Sequence, residues 1–187
     1  MVISIKKDEI CSWHAVRPFD LDSNESALFA KWSYSDYYTI LVNNTGLPAG
    51  YTFTNANEST STWHVPQLPA PYGINPTRVP GLFYVWYGSP TRVTETQVKA
   101  EITAAIKRLR PTVNSTATTE PQFLGFNSHS PFKLVVGAND IKSGFYEKLE
   151  GLQGKRNTYY TGAAFISHGA AVLWNYTLPI VHEIAGL

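Results

Sequence analysis

Cysteine is nearly absent from this chain. A single Cys11 in 187 residues excludes an internal disulfide framework and supplies no metal cluster. Five histidines (His14, His64, His129, His168 and His182) lack the His-x-x-x-His spacing of a zinc site, so no metal is expected. No apolar run approaches the roughly 20 residues that span a bilayer, and the first residues lack the ordered regions of a signal peptide. The expectation is a cytoplasmic protein. Charge of one sign is also missing: 15 basic and 14 acidic residues leave +1, with no block of like charge. That argues against a general nucleic-acid or anionic-membrane surface. Gly-x-Gly-x-x-Gly, the phosphate-loop lysine motif and the Gly-x-Ser-x-Gly elbow do not occur. The five Asn-x-Ser/Thr sequons matter only in a secreted chain.

Aromatic residues are abundant, with 5 Trp, 11 Tyr and 9 Phe. Residues 22–31 have helical spacing. Tyr37–Asn43 reads as a strand, and residues 51–62 suit an edge strand or a loop. Five prolines between Val65 and Pro80 keep that stretch extended. Gly81–Gly88 is the strongest strand signal. Thr94 and Gln97 fit a capping box opening a helix whose stripe is Val98, Ile102, Ala105, Ile106 and Leu109, ended by Pro111. Residues 112–121 read as a polar loop and 131–137 as another strand. Asp140 is expected to cap a helix reaching Leu149. The order implies an α+β domain with helices against one sheet.

The most informative stretch is the last. A β-prone run at 158–161 meets a small-residue turn at Gly162, Ala163 and Ala164. A second cluster, Gly169, Ala170 and Ala171, opens a helical segment that Pro179 should kink or break. Such a strand, turn and helix start, lined by side chains no larger than a methyl, lets backbone N–H groups approach a bulky anionic or electron-rich ligand.

Gln153-Gly, Tyr159-Tyr160 and Thr161-Gly162 in that order, with the aromatic stretches 32–48 and 65–88, resemble the C-terminal half of fungal FAD-dependent amine-oxidase-like oxidoreductases of the β-cyclopiazonate dehydrogenase type. The N-terminal dinucleotide-binding half has no counterpart here. The resemblance implies a mixed-sheet substrate-binding domain over 20–154 and a returning FAD-domain strand, turn and helix over 155–187. Residues 1–19 remain unassigned. It further implies FAD as cofactor, with Thr161, Gly162 and Ala163 near the diphosphate and ribityl chain. Gly169, Ala170 and Ala171 would lie at the flavin pyrimidine edge. One departure is Ala163, where many amine oxidases carry an acidic residue.

Tyr38, Tyr84, Trp86, Phe165 and Trp174 are candidates for a substrate pocket, with core packing the competing role for each. Tyr37 and Tyr38 cannot face the same side of one strand. His168, where the last helix begins, is the candidate catalytic base or donor, or else a helix cap. The expected function is a truncated or split oxidoreductase of secondary metabolism acting on a small molecule. Its partner would be a separate FAD-domain chain or a second copy. The alternatives are a cofactor-free isomerase or cyclase with an aromatic pocket, and a non-catalytic binding protein.

Overall fold

The structure, a computed structural model, describes residues 2–5, 20–57 and 63–186. Cys11, His14 and the unassigned segment apart from residues 2–5 lie outside the described residues. In chain order the elements are β1 Val2–Ile5, α1 Ser23–Phe29, β2 Ser33–Asn43, β3 Phe53–Thr54, β4 Ala70–Pro76, β5 Phe83–Ser89, α2 Glu95–Thr112, β6 Gln122–Ser128, β7 Lys133–Val135, α3 Ala138–Lys142, α4 Phe145–Glu150, β8 Tyr159–Gly162 and α5 Ala170–Ala185. The chain forms two compact units. One is Ser35–Phe132; the other joins the residues up to Tyr34 with Lys133–Leu187. These do not coincide with the expected division at residue 154. Residues 155–187 share a hydrophobic core with Leu28, Phe29, Phe145 and Leu149, so one packing unit spans the expected boundary.

The 35–132 unit is an α+β layer. Its sheet runs β3-β4-β5-β2-β6. All four pairings along that path are antiparallel, where a mixed sheet was expected. Register phases the alternation. Tyr38, Ile40 and Val42 lie opposite Tyr87, Val85 and Phe83, and these six are buried with Val98, Ile102 and Ile106 of α2. Each such side chain taken from water contributes about 1.5–3 kcal/mol, which is why α2 lies where its stripe can be covered. Thr94 caps it by accepting the Gln97 N–H at 3.2 Å, but the Gln97 side chain turns to Glu101 instead of completing a capping box. Pro111 is the penultimate residue of the helix rather than its stop.

Just before it, buried Arg110 holds the loops at the end of α2. Nε donates to Thr45 O (2.9 Å), Nη1 to Ala117 O (3.1 Å), and Nη2 to Asn44 O (3.1 Å) and Thr119 O (2.6 Å). Gly46 makes the approach of these loops possible. Its φ is +71°, and a Cβ there would stand 2.5 Å from Ala117 Cβ.

In the other unit β1 and β8 form a separate parallel pair, Val2 opposite Tyr159 through Ile5 opposite Gly162. The capping box of α1 is complete: Asp22 Oδ1 accepts the Glu25 N–H while Glu25 Oε2 accepts the Asp22 N–H. Buried Glu25 also accepts the Tyr160 hydroxyl at 2.5 Å and faces Arg156 at 3.3 Å. The Tyr160 phenol is pushed up in pKa by burial first, then by that carboxylate. Phe29, Trp32, Phe145, Tyr160 and Phe165 pack ring against ring around it.

The single helix expected from Asp140 to Leu149 is two, α3 and α4. Gly137 stands at the N-cap of α3, and Gly144 at φ +77° separates them. The last helix, α5, continues through Pro179 to Ala185. Residues 175 and 179 are both exposed, so the carbonyl that proline leaves without an N–H sits at the surface. Among the described residues no helix is long and apolar enough to cross a membrane, and no group of three or more His, Cys, Asp or Glu is placed to hold a metal ion.

Replacing Arg110 by Leu takes the donor from four carbonyls, those of buried Thr45 and half-buried Ala117 and of exposed Asn44 and Thr119. Urea denaturation should show a loss of at least about 3 kcal/mol; Arg108→Leu, exposed two positions earlier, should stay within about 0.5 kcal/mol. Equal effects would contradict this account of the loop lock.

Candidate functional site

The strand, turn and helix foreseen at the end of the chain are present. Thr161 is buried, its hydroxyl 2.5 Å from that of Thr177, which in turn donates to Leu173 O. Gly162 is buried with φ +117°, a conformation L side chains rarely adopt, and its carbonyl accepts the Phe165 N–H at 3.1 Å. Ala163 follows, half-buried. Gly169 is the N-cap of α5 and has no side chain to satisfy the first turn; the first N–H bonded inside the helix is that of Leu173, to Gly169 O at 2.9 Å. Ala170 and Ala171 are exposed beside it, as is His168. The helix start is therefore open at the backbone level, whereas Thr161 and Gly162 of the turn are buried.

Gln153 explains why the strand sits where it does. Its Oε1 accepts the Tyr160 N–H at 2.8 Å and its Nε2 donates to Tyr160 O at 2.7 Å, so one side chain supplies both halves of a strand partner. Nε2 also meets the Tyr176 hydroxyl at 2.8 Å, and that hydroxyl reaches Glu150 at 3.1 Å. Tyr159 ties to Glu183 at 3.0 Å. Sequence reasoning singled out Gln153 for its place in the motif, not for this clamp.

Helix α5 is apolar on two sides. Leu173, Tyr176, Thr177 and Ile180 are half-buried. At i, i+4 and i+7 on the other side stand Trp174, Leu178 and Val181, exposed by 68%, 40% and 49%. No residue of this helix is fully buried. A stripe of that kind is the mark of a face that packs against something.

The candidate pocket residues do not form one set. Tyr84 and Trp86 lie on the sheet face opposite α2, their rings 5.3 Å apart. Tyr38 lies on the other face: its register partner is Tyr87, and its hydroxyl donates to Asp36 and Val93 O in the core. Its neighbour Tyr37 takes the open side, with Tyr72 at 6.2 Å and His129 at 5.6 Å. Phe165 belongs to the core of the other unit, and Trp174 to the outer stripe of α5.

No family model matches the chain. Among curated proteins it is 44% identical over 164 residues to the FAD-dependent oxidoreductase pigF of Monascus ruber, covering 87% of this chain and 35% of that protein. It is 40% identical over 169 residues to the FAD-dependent oxidoreductase dbaF of Emericella nidulans (90% and 36%), and 32% identical over 167 residues to β-cyclopiazonate dehydrogenase of Aspergillus oryzae (89% and 36%). The sequence is related to one part of the fungal FAD-dependent oxidoreductases. It spans about a third of the length of those relatives. Among solved structures, the CLA-producing fatty acid isomerase from P. acnes superposes with a TM-score of 0.62 at 18% identity, over 88% of this chain and 37% of its own. An Exiguobacterium protein does so at 0.53 and 12%, over 98% and 40%. The fold resemblance therefore extends across both units of the oxidoreductase-related chain.

The Tyr176 phenol that anchors α5 is pushed up to about 12, first by burial and further by Glu150, against a lowering bond from Gln153. In the unfolded chain it ionises near 10. The folded state thus keeps a proton that the unfolded state releases, and stability present below pH 10 is lost as pH rises toward 12. Urea midpoints should fall between pH 9 and 11, less steeply in Tyr176→Phe. A flat profile in both proteins would refute the linkage.

Proposed function

We propose that these residues form the substrate-binding part and one edge of the flavin site of an FAD-dependent oxidoreductase acting on a small secondary metabolite. What carries the reading is the pairing of an uncovered apolar stripe on α5 with an uncapped glycine-alanine helix start at its end. The covering surface is a dinucleotide-binding part lying outside these 187 residues, whose glycine-rich phosphate loop this sequence lacks. A cytoplasmic location goes with this, since one cysteine leaves no disulfide framework to protect.

The residues present fit the cofactor's near edge. The N–H groups at the start of α5 carry the partial positive charge of the helix terminus and favour negative charge on the flavin pyrimidine. Gly169 is uncrowded: a Cβ there would meet Ser167 Oγ only at 3.5 Å, so the chain itself leaves that edge open. In the turn Thr161 and Gly162 are buried, so half-buried Ala163 is what would come near the cofactor's linker. When bound, FAD supplies the two-electron acceptor for oxidation of a C–H bond next to a heteroatom. The protein's share is to hold the substrate on the open sheet face and to exclude water. His168 at the helix start is a candidate to hold or move a proton there.

Co-expression with the portion of pigF that this chain does not match tests the proposal. A yellow complex absorbing near 450 nm is expected. Trp174→Asp should weaken assembly by roughly 30-fold or more, yet shift the melting temperature of the chain alone by no more than about 2 °C, because that side chain is 68% exposed. A colourless mixture whose components elute separately would refute it.

A further inference from the structure

The sheet face opposite α2 contains a polar group that its packing leaves without a partner. Asn75 pairs across β4 and β5 with Tyr84, and Gly73 pairs with Trp86, so the Asn75 side chain shares a face with both rings. A Cβ on Gly73 would stand 3.2 Å from Asn75 Nδ2 and 3.1 Å from the edge of the Trp86 ring. The amide is therefore aimed into the small space where the ring crosses the bare glycine backbone. Asn75 is 9% exposed, and among the described residues its Nδ2 meets no acceptor. A buried amide donor without an acceptor is costly, and the face of a ring is a poor substitute for an oxygen.

The Trp86 ring beside this donor belongs to a row of rings. Tyr37 lies 6.2 Å from Tyr72, Tyr72 6.0 Å from Trp86, and Trp86 5.3 Å from Tyr84, all half-buried on the same open face. Contiguous aromatic surface of this kind takes flat π-systems by offset stacking. An asparagine N–H within it calls for a neutral oxygen acceptor.

We propose that this face binds a flat, fused-ring ketone whose rings stack along Trp86 and Tyr84 and whose carbonyl oxygen accepts from Asn75 Nδ2. Trp86 covers the donor in the free protein and shifts enough for the ketone oxygen to reach it, its ring still stacking on the ligand. This rests on the reading that the 35–132 unit is the substrate-binding part, and it names the substrate class. The test needs no flavin, so either idea can fail without the other.

The probes are 9-fluorenone and its oxygen-free counterpart fluorene, titrated against the whole 187-residue chain by ligand-observed NMR and tryptophan fluorescence. Fluorenone should bind about tenfold more tightly than fluorene, the effect of one well-placed hydrogen bond. The fluorescence change should vanish in Trp86→Phe. Asn75→Leu should abolish the preference while leaving fluorene binding intact. Should that variant fail to fold, Asn75→Asp keeps the shape, replaces the donor by an acceptor and should show the same loss. Equal binding of the two probes, no binding of either, or a preference that survives loss of the Asn75 donor would overturn the proposal. A fluorenone-binding chain that never assembles with flavin would instead sink the oxidoreductase reading alone.

Discussion

Two apolar sides on one helix set the terms for the rest of this molecule. Leu173, Tyr176, Thr177 and Ile180 are partly shielded within their own unit, while Trp174, Leu178 and Val181 face water. Each large side chain left exposed forgoes about 1.5–3 kcal/mol that burial would contribute. The helix is held nonetheless, by polar ties at its inner side: Tyr176 to Gln153 and Glu150, Thr177 to Thr161, Tyr159 to Glu183. Hydrogen bonds fix its position where hydrophobic burial is incomplete. That arrangement makes sense of a surface prepared for a second contact.

The sheet in the other unit solves the opposite problem. One face is sealed by α2, and the alternation along β2 and β5 is strict enough that Tyr38 and Tyr37 serve different purposes one residue apart. The first is core; the second begins a row of half-buried rings. A long aromatic strand thus builds stability and a recognition surface from the same run of residues. Gly73 allows this by letting Trp86 lie against the β4 backbone.

How much of this was legible before the structure depended on periodicity. The stripe of α2 could be read directly, because Val98, Ile102 and Ile106 recur at the helical period and have one possible face. The strand–turn–helix at the end was equally plain, since small residues at 162–164 and 169–171 have few other uses. The phase of β2 was not: alternation tells which residues face together but not which set faces the helix, so for Tyr38 pocket and core were both open, and it lies in the core. Strand β6 escaped notice because Gln122–Ser128 is half-exposed on both faces and shows no apolar alternation. Gly144 split a helix that its apolar spacing alone had joined. The role of Gln153 is visible only when Tyr160 is beside it, since its value lies in two backbone bonds and in no feature of composition.

Arg110 carries a last consequence. All four of its acceptors are amide carbonyls, groups that neither gain nor lose a proton anywhere near neutrality. The fastening between the 44–47 and 115–119 loops is consequently indifferent to acidification. Being buried, it is also little weakened by dissolved salt. One end of the ring-bearing sheet is in this way insulated from swings in the surrounding medium that would loosen a carboxylate pair.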